Sequence, residues 1–270
     1  MSTLTQPAPT HRTPLPVRRA LLAVAGVLAF ALVAMAAYNL LDLAARHTTT
    51  ERASYGDVRA LVVDDASGIR LTAAPAGAPL HVVARVTEGL TSPKRSAVRG
   101  SDGTLRLSSS CPFIFEDQCE VSYEIQVPSG TLVRARSSAG DVVAEDLIAS
   151  RPVELHSSAG DVIAVDVSAP AIQLSTGAGD VQARGLRSDR VQAESSAGDV
   201  VVSMRSPARR LLADSSAGDV DVLVPDRAYR LDATSSAGDV DTAELRTDPG
   251  ASRSITAHSS AGDVHVAAQR

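Results

Sequence analysis

Ser-Ser-Ala-Gly-Asp-Val recurs along the second half of this chain with its glycine at 140, 160, 198, 218, 238 and 262, and Thr176-Gly177-Ala178-Gly179-Asp180-Val181 is a seventh, altered copy. The glycines lie 20, 19, 19, 20, 20 and 24 residues apart. A unit of about 20 residues buries no core alone, so each copy has to stack on others. That excludes an array of independent domains.

Aligning the copies gives the local geometry. Seven and five residues before each glycine stand Val133/Ala135, Val153/Leu155, Ile172/Leu174, Val191/Ala193, Leu211/Ala213, Leu231/Ala233 and Ile255/Ala257, with mainly polar residues between them; Leu212 is the exception. That alternation has the period of a strand. After the glycine, the second position is always Val and the fourth is Ala, Val or Thr, which predicts a second strand. The inward phase changes from odd to even offsets across Ala-Gly-Asp, so the chain turns a corner where glycine is useful. A third apolar point recurs at Leu147, Val167, Leu186, Met204, Val224 and Leu245. Each period therefore closes a coil of about three sides, and coils about 4.8 Å apart build an all-β, parallel β-solenoid. Asp248-Pro249-Gly250 reads as a turn that absorbs the longer last interval.

Composition suits that fold. Hydrophobic residues make up 44%, aromatics only 3%, and there is no Trp, so the core is aliphatic. A net charge of -5 from 26 basic and 31 acidic residues gives no basic excess for nucleic acid.

Five segments follow from the pattern. Residues 1–19 form a cytoplasmic tail. Residues 20–41 form one transmembrane helix, uncharged and long enough to cross a bilayer. Residues 42–54 are a juxtamembrane spacer, 55–130 are irregular β coils acting as an N-terminal cap, and 131–270 are the regular solenoid. Arg12, Arg18 and Arg19 precede the apolar run and no acidic residue occurs before Asp42, which places the tail inside and the body outside. The competing reading is a cleaved signal peptide ending at Ala34-Met35-Ala36. Outside the cell, Cys111 and Cys119 are expected to form a disulfide that staples a loop, since their spacing lacks the Cys-x-x-Cys form of a redox pair.

Stacking sets the corner residues Gly140/Asp141, Gly160/Asp161, Gly179/Asp180, Gly198/Asp199, Gly218/Asp219, Gly238/Asp239 and Gly262/Asp263 in columns. Adjacent carboxylates about 5 Å apart repel by roughly 1 kcal/mol in water-like dielectric, so something offsets that repulsion. Hydrogen bonds from the turn's own N–H groups or from Ser hydroxyls are the structural reading. A row of Ca²⁺ ions is the sharper and less favoured one, because each coil offers a single carboxylate and the nine-residue calcium repeat is absent. No metal or cofactor is expected. Equal carboxylates in equal surroundings do not split into an acid and a base, and no nucleophile with its base is in view, so no catalytic residue is expected. His258 and His265 flank the last corner without a Cys partner, a weak metal signal. The linkers are Arg-rich, including Arg151, Arg184, Arg187, Arg190, Arg205, Arg209, Arg210, Arg227, Arg230, Arg246 and Arg253. They form either a basic edge for anionic wall polymers or headgroups, or a solvated face of local Arg–Asp pairs.

The N-terminal anchor, the opening Leu61-Val62-Val63-Asp64-Asp65-Ala66-Ser67-Gly68-Ile69, the Ile125-Gln126-Val127-Pro128-Ser129-Gly130 segment and the Ser-Ser-Ala-Gly-Asp-Val coils together resemble the bacterial DUF4097 family, also described as "putative adhesin" or toastrack domains. The resemblance spans roughly residues 55 to 270. It implies a right-handed β-helix-like domain at the cell envelope, sometimes associated with envelope-stress systems, and it carries no catalytic residues. The expected function is a membrane-anchored, extracytoplasmic binding or scaffold protein that is not an enzyme. The alternatives are an accessory of envelope-stress signalling that contacts another membrane protein and, lower, a polysaccharide-active β-helix enzyme. A distinctive site is expected before residue 131 or in the 247–254 insertion, where the repeat is broken.

Overall fold

A computed structural model describes residues 15–90, 92–110, 120–243 and 245–269 in two units, 1–46 and 47–270. The first unit contains one helix, α1 (Leu15–Ala45). Its apolar stretch Ala23–Ala45 is 23 residues long with mean hydropathy 2.1. At 1.5 Å per residue that is enough to cross a bilayer, as either a membrane anchor or a signal sequence would be.

The second unit is two sheets sharing one aliphatic core that runs from Val58 to Val266. In the regular region each coil gives one strand to each sheet. Strands β8 (Leu132–Ser137), β10 (Val153–Ser157), β12 (Ala171–Thr176), β14 (Arg190–Ser195) and β16 (Arg210–Ser215) lie in the ten-stranded sheet. Their partners across the corner, β9 (Val142–Glu145), β11 (Val162–Val165), β13 (Val181–Leu186), β15 (Val200–Met204) and β17 (Val220–Pro225), lie in the eleven-stranded sheet. All these pairings are parallel and keep repeat positions in register, as in Val153 beside Val133 and Ile172. Buried and half-buried residues alternate along each strand, and Leu155, Leu174, Ala193 and Ala213 are at most 1% exposed. The third side is short, a set of single bridges from Ile148 to Ser168 to Arg187 over buried Leu147, Val167 and Leu186.

One expectation is corrected, and the stack adds a feature that the repeat spacing does not set. Residues 42–54 are not a spacer: 42–45 complete α1, and His47–Tyr55 form β1, an edge strand antiparallel to β4 (Leu80–Glu88). Their alternating hydroxyl-rich sequence fits a pleated edge with solvent on both faces. Coils adjacent in sequence are not always adjacent in space. The last coil, β20 (Ser254–Ser259) and β21 (Val264–Gln269), inserts between β16/β17 and the coil of β18 (Arg230–Ser235) and β19 (Val240–Asp241). The same exchange occurs at the other end, where β2 (Ala60–Ala66) and β3 (Gly68–Ala73) sit between β6 (Thr104–Ser110)/β7 (Glu120–Val127) and β8/β9. Copies this alike fit any gap in the stack, so spacing does not dictate their order. The Asp248 turn, where Oδ1 accepts the Gly250 N–H at 2.8 Å, and the Tyr229–Thr247 bridge guide the chain back.

The N-terminal end is closed by three antiparallel strands: β4 on β7, β1 on β4, and β5 (Lys94–Arg99) on β6. A bidentate ion pair joins the two edge strands, with the Arg95 Nη1 and Nη2 atoms 2.7 and 2.9 Å from the Glu51 oxygens. Arg95 holds the Glu51 carboxyl below its ordinary pKa. A depressed carboxylate contributes stability that is present above the unfolded-state pKa and lost as pH falls through the folded-state value.

Two predictions follow from this architecture. Corrected for intrinsic rate, amide exchange in β1 and β5 should rise as pH drops through the carboxylate range, and Glu51→Gln should raise it already at neutral pH. In Gly198→Ala, where φ is +143° and a Cβ would lie 2.1 Å from the Gly179 carbonyl oxygen, unfolding stability should fall by about 3 kcal/mol or more. Gly130→Ala, with nothing within 4 Å, should change it by less than about 0.5 kcal/mol in the same melting experiment.

Candidate functional site

The Ser-Ser-Ala-Gly-Asp-Val corner divides its labour among three groups. The first hydroxyl of each copy points inward and donates to a carbonyl of a neighbouring coil, the corner glycine's in six copies, as in Ser157 to Gly140 O at 2.9 Å, Thr176 to Gly160 O at 2.7 Å and Ser259 to Gly218 O at 2.8 Å, and Ala66 O for Ser137 at 2.8 Å. The glycine lets the backbones close to that distance. The aspartate Oδ1 accepts the backbone N–H of the aspartate in the next layer, in an unbroken series: Asp141 from Asp161, Asp161 from Asp180, Asp180 from Asp199, Asp199 from Asp219, Asp219 from Asp263 and Asp263 from Asp239, all at 2.8–2.9 Å. The bond thus runs between coils rather than within the turn, and the serines serve glycine carbonyls instead of carboxylates. N–H dipoles aimed at each carboxylate offset the repulsion along the column.

The other sequence-derived candidates are dispersed. His258, on β20, meets Thr234 Oγ1 at 3.0 Å, whereas His265, on β21 in the other sheet, meets Asp221 Oδ1 at 3.2 Å. They do not converge on one site. Among the Arg-rich linkers, Arg205 pairs with Asp166 at 2.8 Å, Arg246 with Asp226 at 3.1 Å and Arg209 with Asp189 at 3.7 Å, in the manner of a solvated face with local partners. Cys111 and Cys119 lie outside the described residues.

A different surface gathers polar groups. On the outer face of the eleven-stranded sheet, β1, β4, β7 and β3 form an open groove of about 510 Å³. Cross-strand register aligns Arg52, Val83, Glu124 and Arg70 in one row, and Ser54, His81, Gln126 and Thr72 in the next. The groove's walls are partly fixed by bonds of their own: His81 Nδ1 to Ser54 Oγ at 2.7 Å, Arg85 to Glu124 at 2.7 Å and Arg70 to Glu145 at 2.9 Å. Arg52 is exposed and has no ion-pair partner among the described residues. A guanidinium flanked by hydroxyl, imidazole and amide groups can hold a polar or anionic ligand by several hydrogen bonds at once. The groove falls in the irregular region before residue 131. Its individual residues were not evident in the sequence, because Arg52 reads as part of a spacer and the register joining β1 to β4 is set only by folding.

If the corner carboxylates are structural acceptors, unfolding midpoints of the protein should be the same with Ca²⁺ and with chelator. Asp199→Asn, which keeps an oxygen at Oδ1, should be nearly neutral, and Asp199→Ala should cost about 1 kcal/mol. A metal ligand would remove that difference, with Asn as damaging as Ala and a chelator-sensitive melt.

The sequence model of the family described as Toastrack DUF4097 matches residues 99–270. No curated protein matches the chain. Among solved structures, a "putative adhesin" from Bacteroides fragilis NCTC 9343 is similar at 15% identity and a TM-score of 0.44, over 83% of this chain and 97% of its own. A "putative cell adhesion protein" from Clostridium sporogenes ATCC 15579 is similar at 9% identity and a TM-score of 0.40, over 83% and 100%.

Proposed function

The chain belongs to the Toastrack DUF4097 family, and from that premise we propose that it is a non-enzymatic, adhesin-like binding scaffold of the bacterial envelope. In this reading α1 is a single-pass anchor with its N-terminus in the cytoplasm, and the solenoid stands outside the membrane. The observation that carries the proposal is the use made of the repeat's polar groups: the first hydroxyl of each copy, and every corner carboxylate but that of the outermost Asp239, join one coil to the next. Equivalent carboxylates bound to equivalent N–H groups have no reason to divide into acid and base. What is left for recognition is the outer surface, and there the groove around Arg52 and Arg70 gathers guanidinium, hydroxyl, imidazole and amide groups in about 510 Å³. Its ligand class is an anionic envelope polymer or headgroup.

Binding of the full chain to teichoic acid or anionic vesicles should weaken about tenfold or more in Arg52→Glu/Arg70→Glu and fall with rising salt. Arg209→Glu/Arg246→Glu, on the linker side, should leave it within about twofold. Equal loss from both pairs would move the contact to the linker edge. Salt-independent binding, or none, would remove the anionic ligand and leave a protein partner, as in the envelope-stress alternative.

A further inference from the structure

The two ends of the solenoid are finished differently. At the N-terminal end, antiparallel β1, β4 and β5 cover the stack. At the other end the outermost coil, β18 and β19, is paired on one side only. Positions that are sealed in the next coils inward, Ile255 at 1% and Ala257 at 0%, correspond here to half-buried Leu231 and Ala233, and Val240 is 44% exposed. The corner bonds also stop. Ser235 donates inward to Gly262 O and the Asp239 N–H donates inward to Asp263 Oδ1, while among the described residues nothing donates to Gly238 O or Asp239 Oδ1.

We propose that this open end pairs with the same end of a second copy of the chain, forming a closed two-fold dimer through antiparallel β18–β18 contact. The edge strands at the N-terminal end, β1 and β5, are largely exposed polar strands tied to each other by the Arg95–Glu51 pair, whereas β18 and β19 leave apolar positions uncovered, so the open end is matched best by its own kind. The outer edge of a strand offers alternating N–H and C=O groups and is self-complementary when antiparallel. The charges on β18 agree with that symmetry. Arg230 and Asp232 are exposed, lie on one face of the strand and have opposite signs. A two-fold axis at Leu231 sets each Arg230 opposite the other copy's Asp232, so the pair forms twice. An interface made twice over by one patch closes, so it ends at a dimer and does not grow into a fibre. Main-chain hydrogen bonds would supply most of the affinity, as in strand addition. The inference stands apart from the ligand proposed for the groove.

The test uses the full chain in nanodiscs or detergent, with Cys111→Ser and Cys119→Ser in place. Leu231→Cys should cross-link to its symmetry mate under mild oxidation, because directly opposed residues bring their Cβ atoms within disulfide reach. Leu211→Cys, two layers inward, should not. In sedimentation, Arg230→Asp should weaken the dimer about tenfold with an unchanged melting temperature, and Arg230→Asp/Asp232→Arg should restore it. A wild-type chain that remains monomeric at the highest concentration reached overturns the proposal. So does a Leu231→Cys yield no greater than that of Leu211→Cys, or a charge swap that fails to rescue.

Discussion

The close approach of backbones at the Gly-Asp corner is the contact on which the rest of the solenoid depends. A Cβ on Gly198 would lie 2.1 Å from the Gly179 carbonyl oxygen, and one on Gly140 only 1.4 Å from that of Ser67. With glycine there, the coils come near enough for a serine hydroxyl and an aspartate carboxylate to bridge them, and the strands on either side pair in register. The inward Val, Ala and Leu residues then meet across a narrow aliphatic core that needs few aromatics. Tyr123 and Tyr229 are its buried aromatics among the described residues, at 4% and 1% exposure, and the Tyr229 hydroxyl lies on Pro225 O at 3.1 Å, where the chain leaves the regular path.

Because this corner recurs in the seven repeat layers, it specifies their stacking without specifying their order. The layer order departs from the sequence order at both ends, with β2/β3 and β20/β21 inserted one layer in from the boundary. An outer coil therefore covers each of these segments. The boundaries themselves are treated differently: one receives antiparallel strands and the Arg95–Glu51 clasp, and the other exposes β18 and β19.

Period and alternation made most of the fold legible. Val133, Leu155 and Leu174 were readable as core, and Ala-Gly-Asp as a corner, because strand geometry gives side chains a period of two and the motif breaks its phase. What hid was whatever depends on pairing between distant segments. Nothing in His47–Tyr55 announces a partner at Leu80–Glu88, and the interval of 20 residues from Gly218 to Gly238 is the same whether the chain advances one layer or two. The candidate groove is such a feature, since Arg52, Glu124 and Arg70 meet only through the β1–β4–β7–β3 register. The corner aspartates were found by repetition, but their partner, the next layer's N–H, required the stack.

Site-resolved hydrogen exchange of the native protein tests the exchanged layer order most directly. Interior strands open only with much of the structure, and terminal ones fray. With β20 and β21 held between two coils, amides of residues 254–269 should be protected substantially more than those of 230–241, although they come later in the sequence. Greater protection in 230–241 than in 254–269 would mean that the coils stack in simple sequence order, and would contradict this arrangement.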